Sequence, residues 1–232
     1  MKTKEGCLVL LIGSSLAFGS FAADENDKGK AKEPPAPPRE LAKLDIANSK
    51  EGSIPGGASV VKGSWSVDAG AKKLLAAPEP LVDAWLEFGP EIREKGATIT
   101  ASVRGPGGDR LKSRFGVGLY GKNGFQLRLV PVRQEIELVR RGEVLLRRPF
   151  PHDPAEMQQI ELSVSPERQH WIVSGRVWKD GGERPEQALL EYKIFAVELL
   201  FPLAGRSVLF ATPFSGEPVV FASAVVMPGP AK

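Results

Sequence analysis

"FGVGLYGKNGFQLRLVP", residues 115–131, is the stretch whose reading decides the fold of this chain. Its first half puts Phe115, Val117 and Leu119 on one face; its second half does the same with Phe125, Leu127 and Leu129. Alternation repeated over two such runs marks antiparallel strands with one buried face. Asn123-Gly124 between them tolerates positive φ, as a tight hairpin requires. The opposite face carries Gly116, Gly118 and Tyr120, then Gln126, Arg128 and Val130. Glycines at i and i+2 of a strand mean that something approaches the backbone closely, either packed protein or a ligand.

The same period of two runs through the rest of the chain. "ATITASVR" sets Ala97, Ile99, Ala101 and Val103 against Thr98, Thr100, Ser102 and Arg104. "QIELSVS" sets Ile160, Leu162 and Val164 against Gln159, Glu161, Ser163 and Ser165. Turn formers punctuate these runs: "GPGGD" at 105–109, "RRGE" at 140–143, "SPERQ" at 165–169 and "KDGGE" at 179–183. Short strands at such spacing build a sandwich or barrel. "PVVFASAVVM", residues 218–227, is apolar on both faces and reads as a central strand. "EQALLEYKIFAVELLF", residues 186–201, fits one short helix near 188–200 as well as a bent strand. Residues 41–62 offer no clear element beyond a helical turn at 41–46. The expected fold class is all-β, with two antiparallel sheets.

Composition sets further bounds. The 232 residues are 42% hydrophobic and 25% charged, which suits one globular domain with extensions. The net charge is only +3, and the basic residues are scattered. No basic stripe or aromatic RNP-type motif is present, which argues against nucleic acid as a partner. Lys2 and Lys4, the apolar run from Cys7 to Ala17 and "SFAA" at 20–23 form a secretory signal over residues 1–22. Cleavage after Ala22 is expected, with retention as an anchor the alternative. The apolar run is shorter than the ~20 residues of a membrane span, so the mature chain has no transmembrane segment. It also loses Cys7, the sole cysteine, and with it any disulfide or thiol chemistry. Residues 23–40 carry Pro34, Pro35, Pro37 and Pro38 among charges and form an extended spacer. The domain plan is therefore a signal at 1–22, linker and transition at 23–61, a β-domain at 62–228 and a tail at 229–232.

"GSWSVDAGAKKLL", "DAWLEFG", "RFGVGLYGKNGFQLRL", "HWIVSGRVW" and "GRSVLFATPFSGEPVVFASAVV" together resemble the concanavalin A-like and laminin G-like jelly rolls of secreted bacterial proteins. The resemblance covers roughly residues 62–228. It implies a two-sheet jelly roll serving as a carbohydrate-binding module, a glycosidase or an accessory domain; fold alone does not choose among them. Laminarinase-type members carry Glu-x-Asp-x-x-Glu on one strand, for retaining cleavage by two carboxylates. Here "EIELVR" puts Glu135 at the nucleophile position, Glu137 in place of the aspartate and Arg140 in place of the acid/base. An arginine does not supply that proton, so catalysis is not expected and no catalytic residue is assigned. The simpler reading makes Glu135 and Glu137 the polar face of a strand that buries Ile136 and Leu138. His152 and His170 lack zinc-ligand spacing. The resemblance leaves only Ca2+ open as a cofactor, with Asp83, Asp109, Asp153 and Asp180 at or near turns and no visible convergence.

A glycan ligand needs exposed aromatic rings beside hydrogen-bonding groups. In "VDAWLEF", burial of Ala84, Leu86 and Phe88 turns Trp85 outward. In "HWIVSGRVW", burial of Trp171, Val173 and Val177 leaves His170, Arg176 and Trp178 on the other face. Tyr120 and Arg128 project from the glycine side of the opening hairpin. The candidate site is thus Trp85, Tyr120, Arg128, Arg176 and Trp178. The expected function is an exported, non-catalytic module, periplasmic or extracellular, with a glycan or an envelope surface as partner. The alternatives are a structural or protein-interaction domain of an envelope assembly and, third, a diverged glycoside hydrolase.

Overall fold

The computed structural model describes residues 39–79, 82–106, 112–214 and 216–229; the expected signal at 1–22 and most of the expected spacer at 23–40 lie outside them. In chain order the strands are β1 (Ala42–Lys43), β2 (Ala58–Lys62), β3 (Trp65–Asp68), β4 (Lys73–Ala76) and β5 (Ala84–Arg93). There follow β6 (Ala97–Arg104), β7 (Arg114–Leu119), β8 (Phe125–Val130), β9 (Glu135–Arg140) and β10 (Glu143–Pro149). The last are β11 (Gln158–Glu167), β12 (His170–Lys179), β13 (Leu190–Phe195), β14 (Ala204–Thr212) and β15 (Val219–Pro228). The front sheet runs β10-β9-β8-β7-β14-β5-β2; the back sheet runs β13-β12-β11-β6-β15-β4-β3, with β1 also pairing β15. The pairings are antiparallel. Among the described residues no helix is long and apolar enough to cross a membrane.

The alternation translates directly into a core between the sheets. Phe115, Val117, Leu119, Phe125, Leu127 and Leu129 are buried on the inner front face, opposite Ile99, Val103, Leu162 and Val173 of the back sheet. Each such side chain contributes about 1.5–3 kcal/mol by leaving water, and with a single cysteine in the sequence no intrachain disulfide adds to it. The sheets interlock closely. A Cβ on Gly175 of β12 would meet Leu127 Cδ1 at 2.8 Å and Leu190 Cδ1 at 2.7 Å.

Residues 190–198, open between a short helix and a bent strand in the sequence reading, form β13 and a single 3-10 turn at Ala196–Glu198. Edge pairing with β12 satisfies one side of the backbone, and only Leu190 and Ile194 need burial. The stretch 41–46, expected to hold a helical turn, is not helical. Ala42 and Lys43 add to β15, while Leu44 and Ile46 plug into the core. Ala58–Lys62 pairs β5 as the front-sheet edge, so the β-domain begins well upstream of residue 62. β15 is central, as its apolarity implied, between β6 and β4.

The turn of the opening hairpin is different too. Positive φ falls on Tyr120 (64°) and Gly121 (60°), ahead of a 3-10 turn at Gly121–Asn123, whereas Gly124 is extended. Gly124 is needed for space: a Cβ there would overlap the Leu119 carbonyl oxygen.

Candidate ligand-binding face

One row of residues crosses the outer surface of the whole front sheet. The register aligns Lys62, Trp85, Phe210, Gly116, Arg128, Glu137 and Arg147, one from each strand. Gly116 sits between Phe210 and Arg128, and that position explains the glycine. The Arg128 guanidinium reaches across it to lie 4.3 Å from the centre of the Phe210 ring. A Cβ on Gly116 would overlap the Leu127 carbonyl oxygen. At Gly118 a Cβ would press on Gln126 Cγ and the Phe125 carbonyl oxygen, each at 3.1 Å. The two glycines therefore serve close packing of β7 against β8 and open a path for Arg128.

Phe210 is buried, with Arg128 against its ring and Trp85 edge-on to it at 6.4 Å. Arg128 Nε donates to Gln126 Oε1 at 2.9 Å, and its Nη2 donates to the same oxygen. Burial lowers the Arg128 pKa, against the attraction of Asp83. Beyond Arg128, Glu137 is buried but held by Arg133 Nη1 and Arg147 Nε, each at 3.1 Å. Glu135 accepts from Arg133 at 2.9 Å. At the other end of the face, Asp83 accepts from Thr212 Oγ1 at 2.6 Å and lies 3.7 Å from Arg114.

A depression of about 640 Å³ opens over this face, lined by Trp85, Lys122, Asn123, Gln126, Arg128, Arg141 and Gly142. Lys122 and Asn123 come from the β7–β8 turn, and Arg141 and Gly142 from the β9–β10 turn. Arg141 and Gly142 both have positive φ, 52° and 86°, which matches the twist of a two-residue hairpin.

The structure divides the five candidate residues among three places. Trp85 and Arg128 share the depression. Arg176 and Trp178 lie on β12, in the back sheet, and face outward on the opposite side of the sandwich. Arg176 is already engaged there: Nη1 donates to Glu161 Oε1 at 3.0 Å and Nη2 to the Glu186 carbonyl at 3.1 Å. Tyr120 is in the core. Its positive φ takes it out of the strand alternation, its hydroxyl donates to the Lys95 carbonyl at 2.6 Å, and its ring meets Trp171 edge-on. Burial raises the Tyr120 phenol pKa above its ordinary range. Sequence reading missed Gln126, Lys122, Asn123 and Arg141. The signal available for Arg141 was "RRGE", a turn that could have been paired with "KNG" once β7–β10 were read as consecutive hairpins.

The described carboxylates weighed for catalysis or calcium are engaged with other groups. Glu135 and Glu137 are tied to arginines, while Arg140 turns to the other face, over the Phe125 ring at 5.4 Å. Asp153 accepts from the Ala155 amide and Asp180 from Gln159. Asp109 lies outside the described residues. Among the described residues no three His, Cys, Asp or Glu side chains converge as a metal site would require. His152 faces the Phe150 carbonyl through Nδ1 at 2.9 Å, its Nε2 is buried without a partner, and burial holds its pKa low.

Two facing antiparallel sheets with this strand order define a concanavalin A-like jelly roll. Solved structures of that fold superimpose on it. The metal-free carbohydrate recognition domain of Emp46p matches with a TM-score of 0.59 at 11% identity, covering 84% of this chain and 100% of that one. Lectin II from Ulex europaeus matches with a TM-score of 0.55 at 9% identity, over 83% of this chain and 100% of that one. The carbohydrate-binding module CBM66 from Bacillus subtilis matches with a TM-score of 0.51 at 12% identity, over 74% and 95%. No protein-family model and no curated protein sequence matches the chain.

Proposed function

We propose that this chain is a non-catalytic carbohydrate-binding module whose ligand lies on the outer face of the front sheet. The observation that carries the reading is the partly exposed Trp85 beside Arg128 and Gln126, in an open depression large enough for sugar rings. An indole offers an apolar face to the C–H side of a pyranose, and flanking donors take its oxygens. The lectin and carbohydrate-binding-module structures that share the fold support this choice. The tethering of Glu135 and Glu137 by arginines argues against hydrolysis at this face. Residues 1–22 would export the domain to the periplasm or beyond, and the proline-rich spacer would hold it away from its attachment point.

A second reading, a protein-interaction domain of an envelope assembly, draws on the exposed Phe195, Val197, Leu200 and Phe201. The paired variants Trp85→Ala and Trp178→Ala separate the readings. Calorimetric titration with oligosaccharides should show binding by wild type and Trp178→Ala, and a loss of at least about tenfold for Trp85→Ala. Equal binding by the two variants would remove the front face from the account. Wild type that binds no glycan would favour the interaction domain.

A further inference from the structure

The depression on the front sheet is rich in donors and poor in acceptors. Its charged side chains are Lys122, Arg128 and Arg141, and among the described residues no carboxylate lines it. Three nearby acids of the face are already committed, Glu135 and Glu137 to Arg133 and Arg147, and Asp83 to Thr212 and Arg114. Glu87 stands outward on β5 beside Gly121, outside the lining of the depression. The side-chain acceptors lining it are the amide oxygens of Asn123 and Gln126, and that of Gln126 already takes two hydrogen bonds from Arg128. A chain with 31 basic and 28 acidic residues has no general excess that would produce such a lining.

A neutral sugar presents hydroxyl groups that donate as well as accept, and burying them needs protein acceptors. This site has few to offer. A ring bearing a carboxylate or sulfate ester brings acceptors and negative charge together, and charge-assisted hydrogen bonds to arginine are the stronger kind. We infer that the ligand of this face is an acidic glycan: Trp85 packs against a sugar ring while Arg128, Arg141 and Lys122 hold its anionic group. The inference rests on the carbohydrate-binding reading above. It adds the ligand's charge.

Calorimetry with three probes tests it: an oligogalacturonate, a sulfated galactan oligosaccharide and an uncharged cello-oligosaccharide. One or both acidic probes should bind at least about tenfold more tightly than the uncharged one, as charge-assisted bonding implies. Binding should weaken with added salt, because exposed charges are screened. Lys122→Gln and Arg141→Gln change exposed turn side chains and should leave the thermal midpoint in place. Each should weaken the acidic probe about three- to tenfold, and the uncharged probe by less. Preference for the galacturonate identifies a carboxylate, and preference for the sulfated probe a sulfate. Equal affinity for charged and uncharged probes would overturn the inference and leave carbohydrate binding standing. No binding of any probe would overturn both. Acidic binding indifferent to Trp85→Ala, Lys122→Gln and Arg141→Gln would also sink it, because the anion would then sit elsewhere.

Discussion

The two outer faces of the sandwich are built from the same alternating strands and end in opposite chemical states. On the back sheet, several polar side chains pair with one another. Glu161 takes Arg176 at 3.0 Å and Arg184 at 2.6 Å, Thr98 Oγ1 donates to Ser163 Oγ at 2.8 Å, and Gln159 donates to Asp180. On the front sheet, an aromatic pair and an arginine stacked across a glycine leave Trp85 partly exposed beside Lys122, Arg128 and Arg141. Arg141 lies over the Phe201 ring, and among the described residues no carboxylate of the depression pairs with any of the three. A face that closes on itself gains little from a ligand. A face with surplus donors gains by binding acceptors.

The widest contrast should appear at Gly116. Gly116→Val drives a side chain into the β8 backbone, and a loss of about 3 kcal/mol or outright misfolding is expected. Ser163→Ala on the back face forfeits one hydrogen bond and should cost about 1 kcal/mol. Denaturant unfolding of both variants measures the difference. Equal losses would mean that the front-face glycine serves no packing role.

Neutralising one carboxylate on each face gives a smaller separation. Glu161→Gln strips the charge partner from Arg176, whose side chain is 15% exposed and whose Nε is already buried without a bond. About 2 kcal/mol should be lost. Glu137→Gln leaves Arg133 and Arg147, both 53% exposed, free to turn to water, so about 1 kcal/mol is expected. The reverse order would show the front-face pairs to be the tighter set.

The smallest effect lies in the segment that crosses from β10 in the front sheet to β11 in the back sheet. Desolvation lowers the His152 pKa below 6.5, helped by Lys112 and opposed by the Phe150 carbonyl and Asp153. The folded state therefore favours the neutral ring. Above the unfolded imidazole value the stability is fully present. It falls as pH drops through the folded pKa, because the unfolded chain takes up the proton first. His152→Asn should flatten the wild-type loss of thermal midpoint between about pH 6.5 and pH 5. A pH profile identical in both proteins would place the acid sensitivity elsewhere.

By itself, the alternation of the chain determined that it forms strands and which side chains of each strand face inward. It put Trp85 and Arg128 outward on their own strands, and Arg176 and Trp178 outward on theirs. Period two is a local property of a pleated backbone, so residues within one strand suffice to express it. Which outward faces coincide was decided only in the tertiary structure, by pairings such as β14 with β5 and β7, between residues far apart in sequence. Those pairings put Arg176 and Trp178 on the opposite sheet from Trp85 and Arg128. Tyr120 shows the same limit on a smaller scale. Alternation would send it outward, but one left-handed residue at the strand end turns it into the core, where Lys95 accepts its hydroxyl and Trp171 meets its ring.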